Sequence, residues 1–321
     1  IMQLFKKTNF DFVGSRYRAY AFSAVLLGAG IVSLVVKGGP KLGIDFTGGS
    51  LVQMSFVQPV PMNDVRAILT AAGYSDAELQ ASLESNSVMI RVPHGKKSAD
   101  TLSRDLHQLF VKKLNVPNPK DAAAYSIVIA TTPAEAIERA EYVGPAVGSA
   151  LADQAMKAIL AATVLIILYV AFRFRSWLWG FCSIAAVVHD VLSIVGIFSI
   201  LNKEITVTVV AGILTLAGYS MNDTIVIYDR MRENLRLSRK ETLKEIINRS
   251  INETLSRTVM TSTTVMISLL VLFFFGGEVI HDFSFAMLWG VFVGSYSSIF
   301  VAAPIIYEWQ SRENAKRTGK K

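Results

Sequence analysis

Apolar residues in this chain are gathered into six long blocks, almost free of Asp, Glu, Lys and Arg, at residues 19–36, 156–172, 177–201, 205–228, 257–275 and 283–307. Runs of about 18 or more such residues are long enough to cross a bilayer as helices. The pattern therefore predicts a polytopic α-helical membrane protein with six transmembrane helices. The first block follows Lys6, Lys7, Arg16 and Arg18, shows no small-residue cleavage site before Lys37, and exceeds the length of a signal-peptide core. It reads as a retained helix rather than a removed signal.

Between the first and second blocks, residues 37–155 are polar, punctuated by Gly and Pro, and change period. Strands are predicted at 51–57, 78–83, 87–92 and 125–130, and helices at 62–72, capped by Asn63 or Asp64, and 98–114, with Leu102, Leu106, Leu109 and Phe110 on one face. The order β-α-β-β-α-β predicts a ferredoxin-like α+β domain. His94 and His107 within it read as surface or packing residues. Residues 229–256 carry both signs of charge, with Leu235, Leu243, Ile246, Ile247 and Ile251 at helical spacing, and read as an amphipathic segment on the membrane surface. The basic stretch 308–321 reads as a tail, disordered from residue 312 on.

Composition agrees with this division. Of the 321 residues 52% are apolar and only 18% charged, against about 45–50% and about 25% in soluble domains, which excludes a soluble enzyme, a disordered protein and a coiled coil. The net charge of +7 would suit a nucleic-acid binder if clustered on a soluble surface. Instead, 18 of the 32 Lys and Arg fall in the short segments on one side of the spans, while Lys203 is the sole one in the two short loops opposite. By the positive-inside rule, both termini (residues 1–18 and 308–321) and residues 229–256 are cytoplasmic. The domain 37–155, with 11 basic and 12 acidic residues, is extracytoplasmic. No nucleic-acid partner is expected. The single Cys182 excludes a disulfide framework, and the four histidines show no zinc spacing, so no metal or cofactor is expected.

An ionisable side chain inside a span costs about 2.5–3.5 kcal/mol on insertion scales and is a functional candidate by default. Asp223 lies in the fourth block within Gly218-Tyr219-Ser220-Met221-Asn222-Asp223-Thr224, and Arg257 opens the fifth, followed at helical spacing by Thr261, Thr264 and Ser268. His189 and Asp190 are adjacent near the middle of the third. Asp223 reads as a proton-carrying carboxylate whose state is set by burial against the charge of Arg257, or alternatively as a packing carboxylate bonded to Ser220, Asn222 or a neighbouring hydroxyl. Arg257 reads equally as a snorkelling residue, His189 and Asp190 as a proton relay or a self-satisfied pair, and the Thr261 face as a water path or a packing face. Gly290, Gly294, Ser298 and Ala302 repeat at four-residue spacing, a small-residue pattern for tight helix contact.

Five stretches together resemble one family, the SecF subunits of the SecDF protein-translocation accessory complex, within the resistance-nodulation-division superfamily. They are Leu42-Gly43-Ile44-Asp45-Phe46-Thr47-Gly48-Gly49, Tyr142-Val143-Gly144-Pro145-Ala146-Val147-Gly148, His189-Asp190, the run from Ala217 to Val226 followed by that from Asp229 to Asn234, and Ser256-Arg257-Thr258-Val259-Met260-Thr261-Ser262. The resemblance implies an accessory subunit, not an enzyme, in the bacterial cytoplasmic (inner) membrane. Paired with a SecD-like subunit, it would use the proton motive force to promote export of unfolded polypeptides through SecYEG, with YajC a further partner. It implies Asp223 as the proton-pathway carboxylate and Arg257 as its basic partner; Asn222, Ser220, Thr261, His189 and Asp190, read from their own places in the spans, are the further pathway candidates. The coupling ion would be H⁺, or Na⁺, which a carboxylate among hydroxyls also serves. Gly48, Gly49, Gly144 and Pro145 read as hinges at the domain's entry and exit, or as ordinary turns. The competing readings are a passive membrane scaffold and an exporter of small molecules or lipids.

Overall fold

The structure, a computed structural model, describes residues 8–81, 86–93, 98–118, 121–126, 128–238, 240–317 and 319; His94 lies outside them. In chain order its elements are α1 (Arg16–Lys37), α2 (Ile44–Thr47), β1 (Gly49–Ser55), α3 (Met62–Ala71), β2 (Glu78–Ala81) and β3 (Ser87–Val92). Then come α4 (Ala99–Leu114), β4 (Val116–Asn118), β5 (Asp121–Ser126), α5 (Pro133–Ala136) and β6 (Ile137–Val143). The remainder is helical: α6 (Pro145–Phe174), α7 (Trp177–Ile200), α8 (Val207–Leu237), α9 (Leu243–Phe275), α10 (Gly277–Ser297), a π-helical turn over Ser298–Ala302, and α11 (Ala303–Arg317). The chain divides into two compact units, Leu42–Gln154 and Ile1–Lys41 with Ala155–Lys321.

The smaller unit is an α+β domain. Its four-stranded antiparallel sheet has the order β2-β3-β1-β6, the split arrangement that a β-α-β-β-α-β chain adopts. Alternation along β1 and β3 turns Val52, Met54, Val88 and Ile90 into one core with Val65 and Leu69 of α3 and Leu102, Leu106 and Phe110 of α4. The fourth strand is Ile137–Val143, not residues 125–130. Residues 121–126 instead pair with 116–118 in a separate ribbon. As the sheet's edge, β6 is only partly buried and carries Glu138, Arg139 and Glu141, so the apolar pattern that marks a strand is weak there. Asn63 and Asp64 do not cap α3, which starts at Met62 directly after Pro61. His107 is a packing residue, buried with Nε2 2.8 Å from the Ala130 carbonyl.

The glycines flanking the domain meet specific steric demands. Gly48 and Gly49 have φ of +69° and +132°, and a Cβ on them would lie 2.9 Å from Pro145 Cα and 2.7 Å from Val92 O. Gly49 also pairs with Val143 in the sheet. Their conformation and close approach both require glycine.

Among the described residues six helical segments are long and apolar enough to cross a membrane. The described part of residues 229–256 is mostly helical. It continues α8 to Leu237 and opens α9 at Leu243, where Thr242 accepts from the Glu245 N–H and Glu245 reaches back to Thr242 N at 2.8 Å, a capping box. Ile246, Ile247 and Ile251 are buried with Tyr228, Met231, Phe12 and Val13. At about 1.5–3 kcal/mol per buried side chain, packing against the protein satisfies what a membrane surface would otherwise have covered. The N-terminal segment is stapled to α9. Asn252 bonds both the N–H and the carbonyl of Phe10, at 3.0 and 2.9 Å, and Asn248 accepts from Val13 N–H at 2.9 Å.

The sixth span does not give way to a disordered tail at residue 312 but stays helical to Arg317, with Glu308 paired to Arg16 Nε at 2.6 Å. Its π-helical turn immediately precedes Ala303 and Pro304. Proline has no N–H to donate and its ring crowds the carbonyl four residues back, which accounts for the wider turn there.

Candidate functional site

The buried stripe of α8 runs through Ile213, Leu216, Ala217, Ser220, Asp223, Thr224, Ile227 and Tyr228, the three-and-four spacing of one helix face. Asp223 therefore points into the bundle, at 3% exposure. α9 and α10 close over it and bring Ser262 and Ser295 toward the carboxyl group. The two hydroxyls hydrogen-bond each other, Oγ to Oγ at 2.6 Å, and Asp223 Oδ2 has no hydrogen-bond partner among the described residues. A buried carboxylate oxygen without a donor is costly, so this is an ionisable atom with an open position. Tyr219 donates to Ser262 at 3.3 Å on the same side.

Arg257 is exposed on α9 and makes no direct ion pair with Asp223 among the described residues; it acts on the carboxylate through space. Asn222 faces outward from α8. Thr261 is half-buried and bonds only carbonyls of its own helix, those of Arg257 and Thr258, while Thr264 and Ser268 are exposed and do the same. The face of α9 that meets α8 and α10 is instead Thr258 and Ser262. The spacing after Arg257 follows the outward stripe, because Arg257 itself lies on it.

Ser220 does not reach Asp223. It donates to Asp190 Oδ2 at 2.6 Å, and Ser297 donates to the same atom at 2.9 Å. Asp190 Oδ1 lies 3.1 Å from His189 Nδ1, and His189 Nε2 lies 3.0 Å from Ser23 Oγ. The pair is thus a junction joining α1, α7, α8 and α10. Thr224 and Ser298, in the π-helical turn, share a bond at 2.8 Å. Gly290 and Gly294 let α10 approach, since Cβ atoms there would lie 2.3 Å from Leu216 Cδ2 and 3.0 Å from Ser220 Cβ. The four-residue repeat marks Ser298 as a packing residue but leaves out Ser295 and Ser297; polar residues clustered inside the sixth apolar block are the available signal.

A family model described as protein export membrane protein SecD/SecF, C-terminal, matches residues 125–312, and one described as the SecD/SecF GG motif matches residues 32–60, around Gly48 and Gly49. The protein translocase subunit SecF of Endomicrobium trichonymphae is 42% identical over 98% of this chain and 96% of its own length. The chain belongs to the SecF family. Subunits so named from Thermodesulfovibrio yellowstonii and Pseudomonas aeruginosa are 39% and 37% identical, covering 95% and 92% of this chain and 96% and 90% of theirs. Among solved structures, SecDF from Thermus thermophilus, described as a translocon-associated membrane protein, superposes with a TM-score of 0.79 at 36% identity. It matches 95% of this chain and 39% of its own. A SecDF structure in a super-membrane-facing form gives 0.67 at 35% identity, over 100% and 41%. The chain therefore spans about two-fifths of those SecDF chains, and most of the length of the separate SecF subunits.

Proposed function

We propose that this SecF-family chain works as one half of a proton-driven export accessory unit in the bacterial cytoplasmic membrane, with Asp223 as its ion-binding carboxylate. The observation that carries the reading is the buried Asp223 Oδ2 with no hydrogen-bond partner among the described residues, beside two mutually bonded serines that also face the carboxyl group and under the through-space charge of Arg257. A packing role would be met by a neutral, fully bonded side chain at lower cost. One charge moved across 100 mV is worth about 2.3 kcal/mol, enough to bias two conformations that differ by a few kcal/mol. The work on the exported, unfolded polypeptide falls to the Leu42–Gln154 unit, with Gly48, Gly49, Gly144 and Pro145 as its hinges.

The second half is a SecD-like subunit, in keeping with the SecDF chains that are more than twice as long. Thr215, Gly218 and Asn222 of α8 and Arg257, Thr264 and Ser268 of α9 are exposed on the spanning helices. Polar stripes of this kind are poorly matched to lipid and suit a polar partner helix. SecYEG and YajC complete the set of partners. Both termini lie in the cytoplasm, where the Lys and Arg of the short segments are concentrated.

The test is Asp223→Asn in the co-purified two-subunit complex, assayed for export into inverted membrane vesicles. The expected result is unchanged assembly with loss of the stimulation that the proton motive force gives. Full stimulation in the Asn variant would overturn Asp223 as the proton carrier. Collapse of the stimulation by a protonophore, but not by a sodium ionophore, distinguishes H⁺ from Na⁺.

A further inference from the structure

Away from Asp223, a crevice of about 420 Å³ is lined by Tyr20 and Ser23 of α1, His189 of α7, and Ile305, Glu308 and Arg312 of α11. It runs from exposed Arg312 to His189, which is only 5% exposed. Tyr20 Oη, on its wall, is buried without a hydrogen-bond partner among the described residues. Val301 and Trp309 complete its walls, which are mainly apolar, so water, which needs about 30 Å³ per molecule and two or more polar partners, finds those partners at Tyr20, Ser23, Glu308 and Arg312.

The hydrogen bonds at its inner end can be oriented one by one. Tyr296 Oη donates to the Ala19 carbonyl at 2.7 Å, because a carbonyl only accepts. Ser23 Oγ lies 3.2 Å from Tyr296 Oη and 3.0 Å from His189 Nε2, and has a single proton for both. If Ser23 donates to Tyr296, Nε2 must carry a proton and donate to Ser23. If Ser23 turns and donates to Nε2, Nε2 must be bare. In both arrangements Nδ1 can keep its proton on Asp190 Oδ1, while Ser220 and Ser297 hold Oδ2. Two charge states of the same atoms are therefore both compatible with hydrogen bonding, and they differ by one proton and one hydroxyl rotation.

We propose that His189 and Asp190 form a second proton-exchange station, with Ser23 as its rotor and the crevice as its water entry from the end of the bundle that holds Arg16 and Glu308. The step is balanced: the imidazolium releases the Nε2 proton to crevice water, the N–H bond electrons stay on Nε2 as a lone pair, and the Ser23 hydroxyl rotates from Tyr296 to that lone pair. The pair passes from neutral to a net charge of −1. The groups facing it are Tyr20 and Ser23 from α1, Tyr296 from α10, Ser220 from α8, Ser297, and Glu308 and Arg312 from α11, with Glu308 itself paired to Arg16. Asp190 carries the change to α8, because Ser220, its donor, lies one turn before Asp223. The inference rests on the proton-driven reading proposed above.

The experiment uses the two-subunit complex in vesicles and compares Ser23→Ala, Ser23→Thr, His189→Gln and Asp223→Asn, with co-purification as the check on assembly. Ser23→Ala and His189→Gln are expected to lower the proton-motive stimulation of export at least tenfold while assembling normally. Ser23→Thr, which keeps the hydroxyl, should restore it, and the pH profile of wild type between pH 5 and 8 should flatten in His189→Gln. Ser23→Cys should react with a water-soluble, membrane-impermeant thiol reagent added on the Arg312 side. If Asp223→Asn abolishes stimulation while Ser23→Ala and His189→Gln keep it with an unchanged pH profile, the second station is overturned and the Asp223 reading stands. If Ser23→Cys stays unreactive from that side, the water entry is overturned. If Asp223→Asn keeps full stimulation, it is the reading of Asp223 as the ion-binding carboxylate that fails.

Discussion

Gly30 of α1 and Gly196 of α7 bring their backbones into contact: a Cβ on Gly30 would lie 2.7 Å from Gly196 Cα, and one on Gly196 2.9 Å from Gly30 Cα. The contact is between main chains, so no side-chain rotation relieves a substitution. It holds together the two helices that supply Ser23 and His189. Overpacking in a close-fitted interior costs about 1–3 kcal/mol. Gly196→Val is expected to lower the midpoint of thermal unfolding in detergent, whereas Gly28→Val, at a position with no neighbour within 4 Å, should leave it unchanged.

Thr258 and Thr261 are three residues apart on α9 but differ in surroundings. Thr258 Oγ1 is buried without a partner among the described residues, and Thr261 Oγ1 bonds its own helix at 3.0 Å. Removing an unpaired buried hydroxyl while keeping its shape relieves a desolvation cost of about 1–3 kcal/mol. Thr258→Val should therefore raise thermal stability, and Thr261→Val should be neutral within about 0.5 kcal/mol. Unfolding monitored by intrinsic fluorescence of the purified complex separates the two.

Gly49 combines a φ of +132° with a Cβ position 2.7 Å from Val92 O. Gly49→Ala meets both the left-handed backbone penalty of about 1–2 kcal/mol and a backbone clash, while β1 must keep its pairing with β3 and β6. The Leu42–Gln154 unit should become sensitive to protease in the full-length chain while the spans remain intact. Gly73→Ala, also at positive φ but with nothing within 4 Å, should show only the smaller backbone effect.

The staple of the N-terminal segment is pH-dependent. Lys244 Nζ at 2.6 Å and the Gly14 N–H at 2.7 Å hold the Asp11 carboxyl at about 2, below its ordinary 3.8. A carboxyl depressed in the folded state adds stability above its unfolded value, and loses it as the pH falls from there through the folded one. The staple should therefore be intact at pH 5 and above and weaken between about 4 and 2. The pair is exposed, so its contribution is below about 1 kcal/mol. Pepsin cleavage near Phe10 and Phe12 should rise on acidification in wild type more than in Asp11→Asn, where the ion pair is already absent.

The six spans, the α+β domain and the candidacy of Asp223 were legible in the linear order of residues. Each rests on a property of a run or of one atom type: apolar length against bilayer thickness, strand alternation, the cost of a charge in hydrocarbon. Edge strand β6 was missed, because a half-exposed strand shows little alternation. The packing of Ile247 and Ile251 against Phe12, Val13, Tyr228 and Met231 is not legible there, because an apolar stripe does not say whether lipid or protein covers it.

Contacts between helices were decided only by tertiary structure. Ser297 and Asp190 are 107 residues apart, as Ser23 and His189 are 166 apart, and their meeting depends on where each helix crosses the next and at what rotation. A turn of about 100° per residue separates Ser262, facing Asp223, from Thr261 beside it. Sequence spacing ranks the residues of one helix relative to each other, but the zero of that rotation is set by packing, here by the glycines at 30, 196, 290 and 294 that let the backbones close. For that reason the need for a buried carboxylate could be read along the chain, while the hydroxyls that surround it could not.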